Sequence, residues 1–124
     1  MLNILVVEDS DIDFLRVSRI LDALDHHVDR AFNGEEGLEF LEDIIYDLVL
    51  MDVDMPLMDG YQALAIIQRD RNIHQIPVSM LTSRKTTGDK EKSKRLGAVD
   101  HLEKPVIKEK LLKLLSQIEN KRIE

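Results

Sequence analysis

The chain has 124 residues, enough for one domain with a single hydrophobic core and too few for two. It has no cysteine, which excludes disulfides, thiolate metal sites and cysteine catalysis, and no apolar run approaches membrane-spanning length. The net charge of -7 argues against direct binding to nucleic acid, where Lys and Arg must neutralise phosphates.

The acids and bases are segregated. Residues 1–83 hold 5 Lys/Arg against 17 Asp/Glu, whereas residues 84–124 hold 12 against 7. Met1 to Val7 lacks a basic n-region and runs straight into Glu8 and Asp9, so neither a secretion signal nor membrane insertion is expected. A cytoplasmic location is the expectation.

Ile4 to Val7 is a short apolar run of strand length, and Phe14, Val17, Leu21 and Leu24 then recur at helical spacing, with Ser10 or Asp9 able to cap the helix. Val28 to Phe32 predicts a second strand. Asn33 can cap a helix bearing Leu38, Leu41 and Ile45, with Gly37 lowering its intrinsic stability. Leu48 to Met51 predicts a buried strand that delivers Asp52 at its tip and breaks into the turn-rich loop Val53 to Gly60. Tyr61, Leu64, Ala65 and Ile67 predict a third helix, and Val78 to Leu81 a fourth strand ending at Thr82. Thr87 to Arg95 is almost wholly polar, with Leu96 beside it, and predicts a poorly packed, mobile helix. Ala98 to Glu103 predicts a fifth strand, followed by Lys104, Pro105 and a last helix with Ile107, Leu111, Leu112, Leu114, Leu115 and Ile118. Strands alternating with helices five times define an α/β class, a five-stranded parallel sheet doubly wound with helices on both faces.

In such a sheet, ligands bind beyond the carboxyl ends of the strands. Glu8 and Asp9 follow strand one, Asp52 ends strand three, Thr82 ends strand four and Lys104 follows strand five, so all five reach one edge. Carboxylates facing one another raise one another's pKa, and a hard divalent cation with oxygen ligands relieves that repulsion. Magnesium suits such a site, because it keeps several waters and leaves a position for a phosphate oxygen; a lysine and a hydroxyl can hold the remaining oxygens. Taken singly, Glu8 and Asp9 read as a helix cap and dipole contact, Thr82 as a loop hydrogen bond and Lys104 as a solvated lysine. Their conjunction at four strand ends points to phosphoryl transfer.

Val6-Val7-Glu8-Asp9, Leu50-Met51-Asp52-Val53-Asp54-Met55-Pro56-Leu57-Met58-Asp59-Gly60, Leu81-Thr82-Ser83 and Lys104-Pro105, in this order, resemble the receiver domains of two-component response regulators over nearly the whole chain. The resemblance implies a flavodoxin-like sheet of order 2-1-3-4-5 and a single receiver domain over residues 1–124, similar to the single-domain chemotaxis-type regulators. It implies that Asp52 accepts a phosphoryl group from a sensor histidine kinase or phosphotransfer protein. Mg2+ would be held by Asp9, Asp52, Glu8 through water and the Asp54 main-chain carbonyl. Thr82 and Lys104 would bind the phosphoryl group, the domain would catalyse only its own phosphorylation and dephosphorylation, and the Lys104-Pro105 peptide would be cis.

A phosphoryl group adds roughly -1.5 to -2 units of charge beside Thr82, which should be drawn inward. The residue three before the lysine, usually aromatic in the family, is His101 here; as a titratable switch it is expected to make partner binding vary with pH near about 6 to 7. By the same resemblance Asp54 and Arg84 border the path of the water that hydrolyses the phosphoryl group, and Ser83 sits where smaller residues are frequent, so slow dephosphorylation is expected. Lys90, Lys92, Lys94, Arg95, Lys104, Lys108, Lys110 and Lys113 lie on or beside the segment the family uses for output. They read either as a solvated face or as a dock for an output protein with an acidic surface. Two alternatives remain at this level: a small haloacid-dehalogenase-like phosphatase using Asp52 and Asp54, which normally carries its nucleophile on the first strand, and a receiver-like docking module that never accepts phosphate. G-x-G-x-x-G, G-x-S-x-G and H-E-x-x-H are absent.

Overall fold

The computed structural model describes residues 1–83 and 89–123. Five strands, β1 (Asn3–Val7), β2 (His27–Ala31), β3 (Leu48–Asp52), β4 (Val78–Thr82) and β5 (Asp100–Glu103), form one parallel sheet of order β2-β1-β3-β4-β5. Helices α1 (Asp11–Ala23), α2 (Gly34–Asp43), α3 (Gly60–Arg69), α4 (Asp89–Arg95) and α5 (Lys108–Ile123) connect and follow them.

Side chains alternate across each strand, so the sheet has two cores. Ile4, Val6, Leu48 and Leu50 meet Val17 and Leu21 of α1 and Leu111, Leu114, Leu115 and Ile118 of α5 on one face. Leu5, Val7, Val49 and Met51 meet Leu41 of α2 and Ala63, Leu64 and Ile67 of α3 on the other. Every residue of β3 and β4 is buried, which is why β3 reads as a continuous apolar run up to Asp52 and β4 as an apolar run interrupted only by the small Ser79 before Thr82. Parallel pairing sets Asp52 beside Leu81 and Thr82 beside Glu103, so the carboxyl ends share an edge.

The helix starts follow their caps. Ser10, rather than Asp9, caps α1 by accepting from the Asp13 amide, and Asn33 caps α2 by accepting from Glu36 at 2.8 Å. Asp59 and Gln62 form a reciprocal capping box on α3. Gly37 has a packing reason that outweighs its helical cost: a Cβ there would stand 2.9 Å from Val7 Cγ2, so the missing side chain lets α2 lie close on β1.

Several expected boundaries shift. Ile45 is not on α2, because Ile44 turns extended (φ -126, ψ 136) and ends the helix, leaving Ile45 88 % exposed. Leu24 caps the end of α1 instead of continuing it, β2 stops at Ala31 with Phe32 outside, and β5 begins at Asp100 rather than Ala98. Ile107 precedes α5 and is half exposed, and Leu112 is only partly buried. The described part of α4 is anchored by more than Leu96: Ser93 is buried, its hydroxyl 3.5 Å from that of Tyr61, and Lys92 stands 4.4 Å from the Tyr61 ring centroid.

Candidate phosphoryl-transfer and metal site

Glu8 leaves the end of β1 fully buried, Asp52 closes β3 and Thr82 closes β4, both buried, while Asp9 is exposed at the mouth. One carboxylate oxygen from each of Glu8, Asp9 and Asp52 lies within 4.8 Å of the others. This set of hard oxygens, partly buried and open on one side, fits a divalent cation such as Mg2+. Lys104, just past β5, reaches across the sheet edge with Nζ 2.6 Å from Glu8 Oε1, 3.0 Å from Asp52 Oδ1 and 3.2 Å from Asp13 Oδ2.

The electrostatics are strained in a directed way. Burial, then the neighbouring Asp52 carboxylate, pushes the Glu8 pKa from 4.5 up to about 8, against the opposing pull of Lys104. Burial tends to lower the Lys104 pKa, but Glu8 and Asp52 outweigh it and hold the ammonium charged well beyond its ordinary range. A buried carboxyl whose ionised form is disfavoured beside two further acids is a place where a cation stabilises the charge.

Around this centre the remaining expected residues fall as follows. The Asp54 amide donates to Asp52 Oδ1 at 3.2 Å, while its own side chain is exposed. Thr82 Oγ1 lies 2.7 Å from His101 Nε2, so the imidazole already stands behind the hydroxyl. Ser83 is partly buried, and the Lys104-Pro105 peptide is cis. Arg84 lies outside the described residues. Lys90, Lys92, Lys94 and Arg95 on α4 and Lys108, Lys110 and Lys113 on α5 are exposed. Asp13 was not among the expected site residues; it sits in the first turn of α1 and joins the site through Lys104, a contact made across the fold.

A parallel doubly wound sheet that gathers acids, a hydroxyl and a lysine at its carboxyl edge defines a phosphoryl-transfer class of site. The response regulator receiver domain model matches residues 4–116, and the chain belongs to that family. It is therefore a receiver domain of two-component signalling, a phosphorelay module and not a conventional enzyme. Protein PilH of Pseudomonas aeruginosa is 36 % identical over 118 residues, covering 95 % of this chain and 98 % of its own length. The histidine-protein kinase BarA of Escherichia coli K12 is 32 % identical over 114 residues, covering 92 % of this chain but only 12 % of its own length, so the same module also occurs inside larger proteins. The receiver domain of sensor histidine kinase PA1611 from Pseudomonas aeruginosa PAO1, whose crystal structure has a magnesium ion coordinated in the active-site cleft, superposes with a TM-score of 0.84 at 30 % identity over 94 % of this chain and 95 % of that one. Family membership sets aside the dehalogenase-like reading of Asp52 and Asp54. Among the described residues, no helix is long and apolar enough to cross a membrane.

Proposed function

We propose that residues 1–124 act as a single receiver domain, in the cytoplasm, that takes a phosphoryl group onto Asp52 from a sensor histidine kinase or phosphotransfer protein. The observation that carries this reading is the convergence of Glu8, Asp9, Asp52 and Lys104 at one sheet edge. An Asp52 carboxylate oxygen attacks phosphorus, the N–P bond of the donor phosphohistidine breaks, and the imidazole leaves with the electron pair. Asp9, Asp52, the Asp54 carbonyl and, through a water, Glu8 would hold Mg2+, which when bound would supply positive charge to the transferring oxygens. Lys104 exchanges its contact with Asp52 for one with a phosphoryl oxygen, and Thr82 donates to another. Water later attacks phosphorus and Asp52 leaves as carboxylate; Asp54, Ser83 and Arg84 are assigned to slowing that step. The test is Mg2+-dependent incorporation of phosphate from a small acyl or amido phosphate, followed by mass. Wild type is expected to gain one hydrolysable adduct and Asp52→Asn none. An equal adduct in Asp52→Asn would refute the assignment, and no adduct in either would leave a docking module.

His101 is assigned to the switch. Its Nδ1 is buried without a hydrogen-bond partner among the described residues, so a proton there would be a stranded donor, and the ring satisfies itself better as the Nε2–H tautomer donating to Thr82 Oγ1. The Thr82 hydroxyl proton is then left to turn toward the phosphoryl oxygens. His101→Gln, which can still offer an amide donor, is expected to keep more of the phosphorylation-dependent affinity for an output partner than His101→Phe. Identical behaviour of the two variants and wild type across pH about 6 to 8 would remove His101 from the switch. The exposed lysines of α4 and α5 are assigned to an output protein with an acidic surface, an association expected to weaken with added salt.

A further inference from the structure

We propose that Arg30, on β2, is a positioning residue for the cation site: it clamps the Glu8 carbonyl and so holds the Glu8–Asp9 peptide in the orientation that sends both carboxylates to the sheet edge. The proposal rests on the Mg2+ reading above.

Arg30 belongs to a neighbouring strand, and its contact with the cluster is to main chain, not to a carboxylate. Its Nε donates to the Glu8 main-chain oxygen at 3.1 Å, and the adjacent residue of the same strand, Ala31, accepts from the Glu8 amide at 3.0 Å. Both backbone groups of Glu8 are therefore held from β2. Because the Glu8 carbonyl and the Asp9 amide share one rigid peptide plane, fixing that oxygen restricts where the Asp9 side chain leaves the chain.

The guanidinium is itself held on three sides. Its centre lies 4.5 Å from the Phe14 ring centroid and 4.1 Å from that of Phe32, so α1 and the residue just past β2 sandwich it. One terminal nitrogen pairs with Asp11 Oδ1 at 2.8 Å, at the first residue of α1. Asp11 is 80 % exposed, so that pair contributes little to stability by itself. The other terminal nitrogen is buried with no hydrogen-bond partner among the described residues, a desolvation cost that an apolar side chain in this sandwich would avoid. A cation retained there at a cost, with its one backbone contact on a residue of the metal cluster, is accounted for by what it holds in place. A second arrangement of the same charge would act oppositely: a bare positive charge near the acids repels a divalent cation, so position and charge predict effects of opposite sign.

The experiment is titration calorimetry of Mg2+ into wild type, Arg30→Met and Arg30→Lys, paired with amide hydrogen exchange at Asp9 and Ser10 in metal-free protein. Arg30→Met keeps the apolar stem between the two rings and loses both charge and donors. Its Mg2+ dissociation constant is expected to rise roughly tenfold, as for loss of other partners that orient metal ligands, with faster exchange at the two amides. Arg30→Lys keeps the charge and donors on one nitrogen in place of the fork that meets the Glu8 carbonyl and Asp11 from separate nitrogens, and is expected to fall between. Unchanged or tighter Mg2+ binding in Arg30→Met overturns the proposal; if that variant does not fold, wild-type affinity and exchange in Arg30→Lys overturn it. Should wild type bind no Mg2+, the metal reading fails while the exchange rates still decide whether Arg30 clamps the loop.

Discussion

Lys104→Met is expected to slow phosphate incorporation at Asp52 about a hundredfold while tightening Mg2+ binding where the carboxylates are ionised, two effects of opposite direction from one substitution. Lys104 is the cation that meets Glu8, Asp52 and Asp13 together, at 2.6, 3.0 and 3.2 Å. Before transfer it competes with a divalent ion for the same carboxylates, so its removal frees them. During transfer it is the group placed to meet the charge on the phosphoryl oxygens, so its removal raises the barrier. Methionine has similar length and no charge, which separates the electrostatic role from packing. The labelling rate at saturating Mg2+ and calorimetric Mg2+ affinity check the two halves; a tighter site with an undiminished rate would strip Lys104 of its proposed role.

The high pKa of Glu8 gives the same site a signature in stability. With its folded value at about 8 and its ordinary value at 4.5, the folded protein binds more protons than the unfolded chain between these limits. Stability of the metal-free protein is therefore expected to fall as pH rises through that window and to level off above it. Glu8→Gln should flatten this slope, and saturating Mg2+ should offset it by replacing the proton. Melting temperatures of wild type and Glu8→Gln at both ends of the window measure the difference; parallel slopes would mean that Glu8 is ionised throughout.

What could be read from the sequence was what the parallel sheet enforces. Asp52, Thr82 and Lys104 are far apart in the chain, yet each sits at or just past a strand end, marked by a mainly apolar run for Asp52 and Thr82 and by Pro105 for Lys104, and a sheet of parallel strands brings such ends to one edge. Helix starts were equally visible, since Ser10 and Asn33 act on amides three residues away. Asp13 and Arg30 were not visible in this way. Both act through contacts across the fold, Asp13 on Lys104 and Arg30 on the Glu8 carbonyl, and no local pattern marks a residue whose partner is supplied by tertiary packing. Ile45 misled for the complementary reason: its spacing continues the α2 stripe, but the backbone turns extended one residue earlier. His101 is a hybrid case, because its place was legible from Lys104 whereas its bond to Thr82 depends on a ring orientation set by β4 and β5.

Gly60→Ala is expected to destabilise the protein by about 2–4 kcal/mol, lowering the melting temperature by roughly 10 °C, and to cut phosphate incorporation in the fraction that remains folded. An added Cβ would run into the Asp52 carbonyl oxygen, with the carbonyl carbon and Met80 Cε each 2.9 Å away. The obstacle is backbone, which cannot rotate aside, and the Gly60 amide is already tied to the Val53 carbonyl at 3.0 Å. Relief therefore requires α3 to back away or the tip of β3 to move, and the second course carries Asp52 away from Lys104 and from the Asp54 amide. Gly34→Ala is the matched control, because the Cβ at that helix start would meet Met58 Sδ at 3.0 Å, the far end of a flexible side chain. Denaturant midpoints should thus separate two identical substitutions at two helix starts, with Gly34→Ala close to wild type. Equal and small shifts for both would show that β3 and α3 tolerate a wider separation, and that Asp52 does not depend on the close approach at Gly60 for its position.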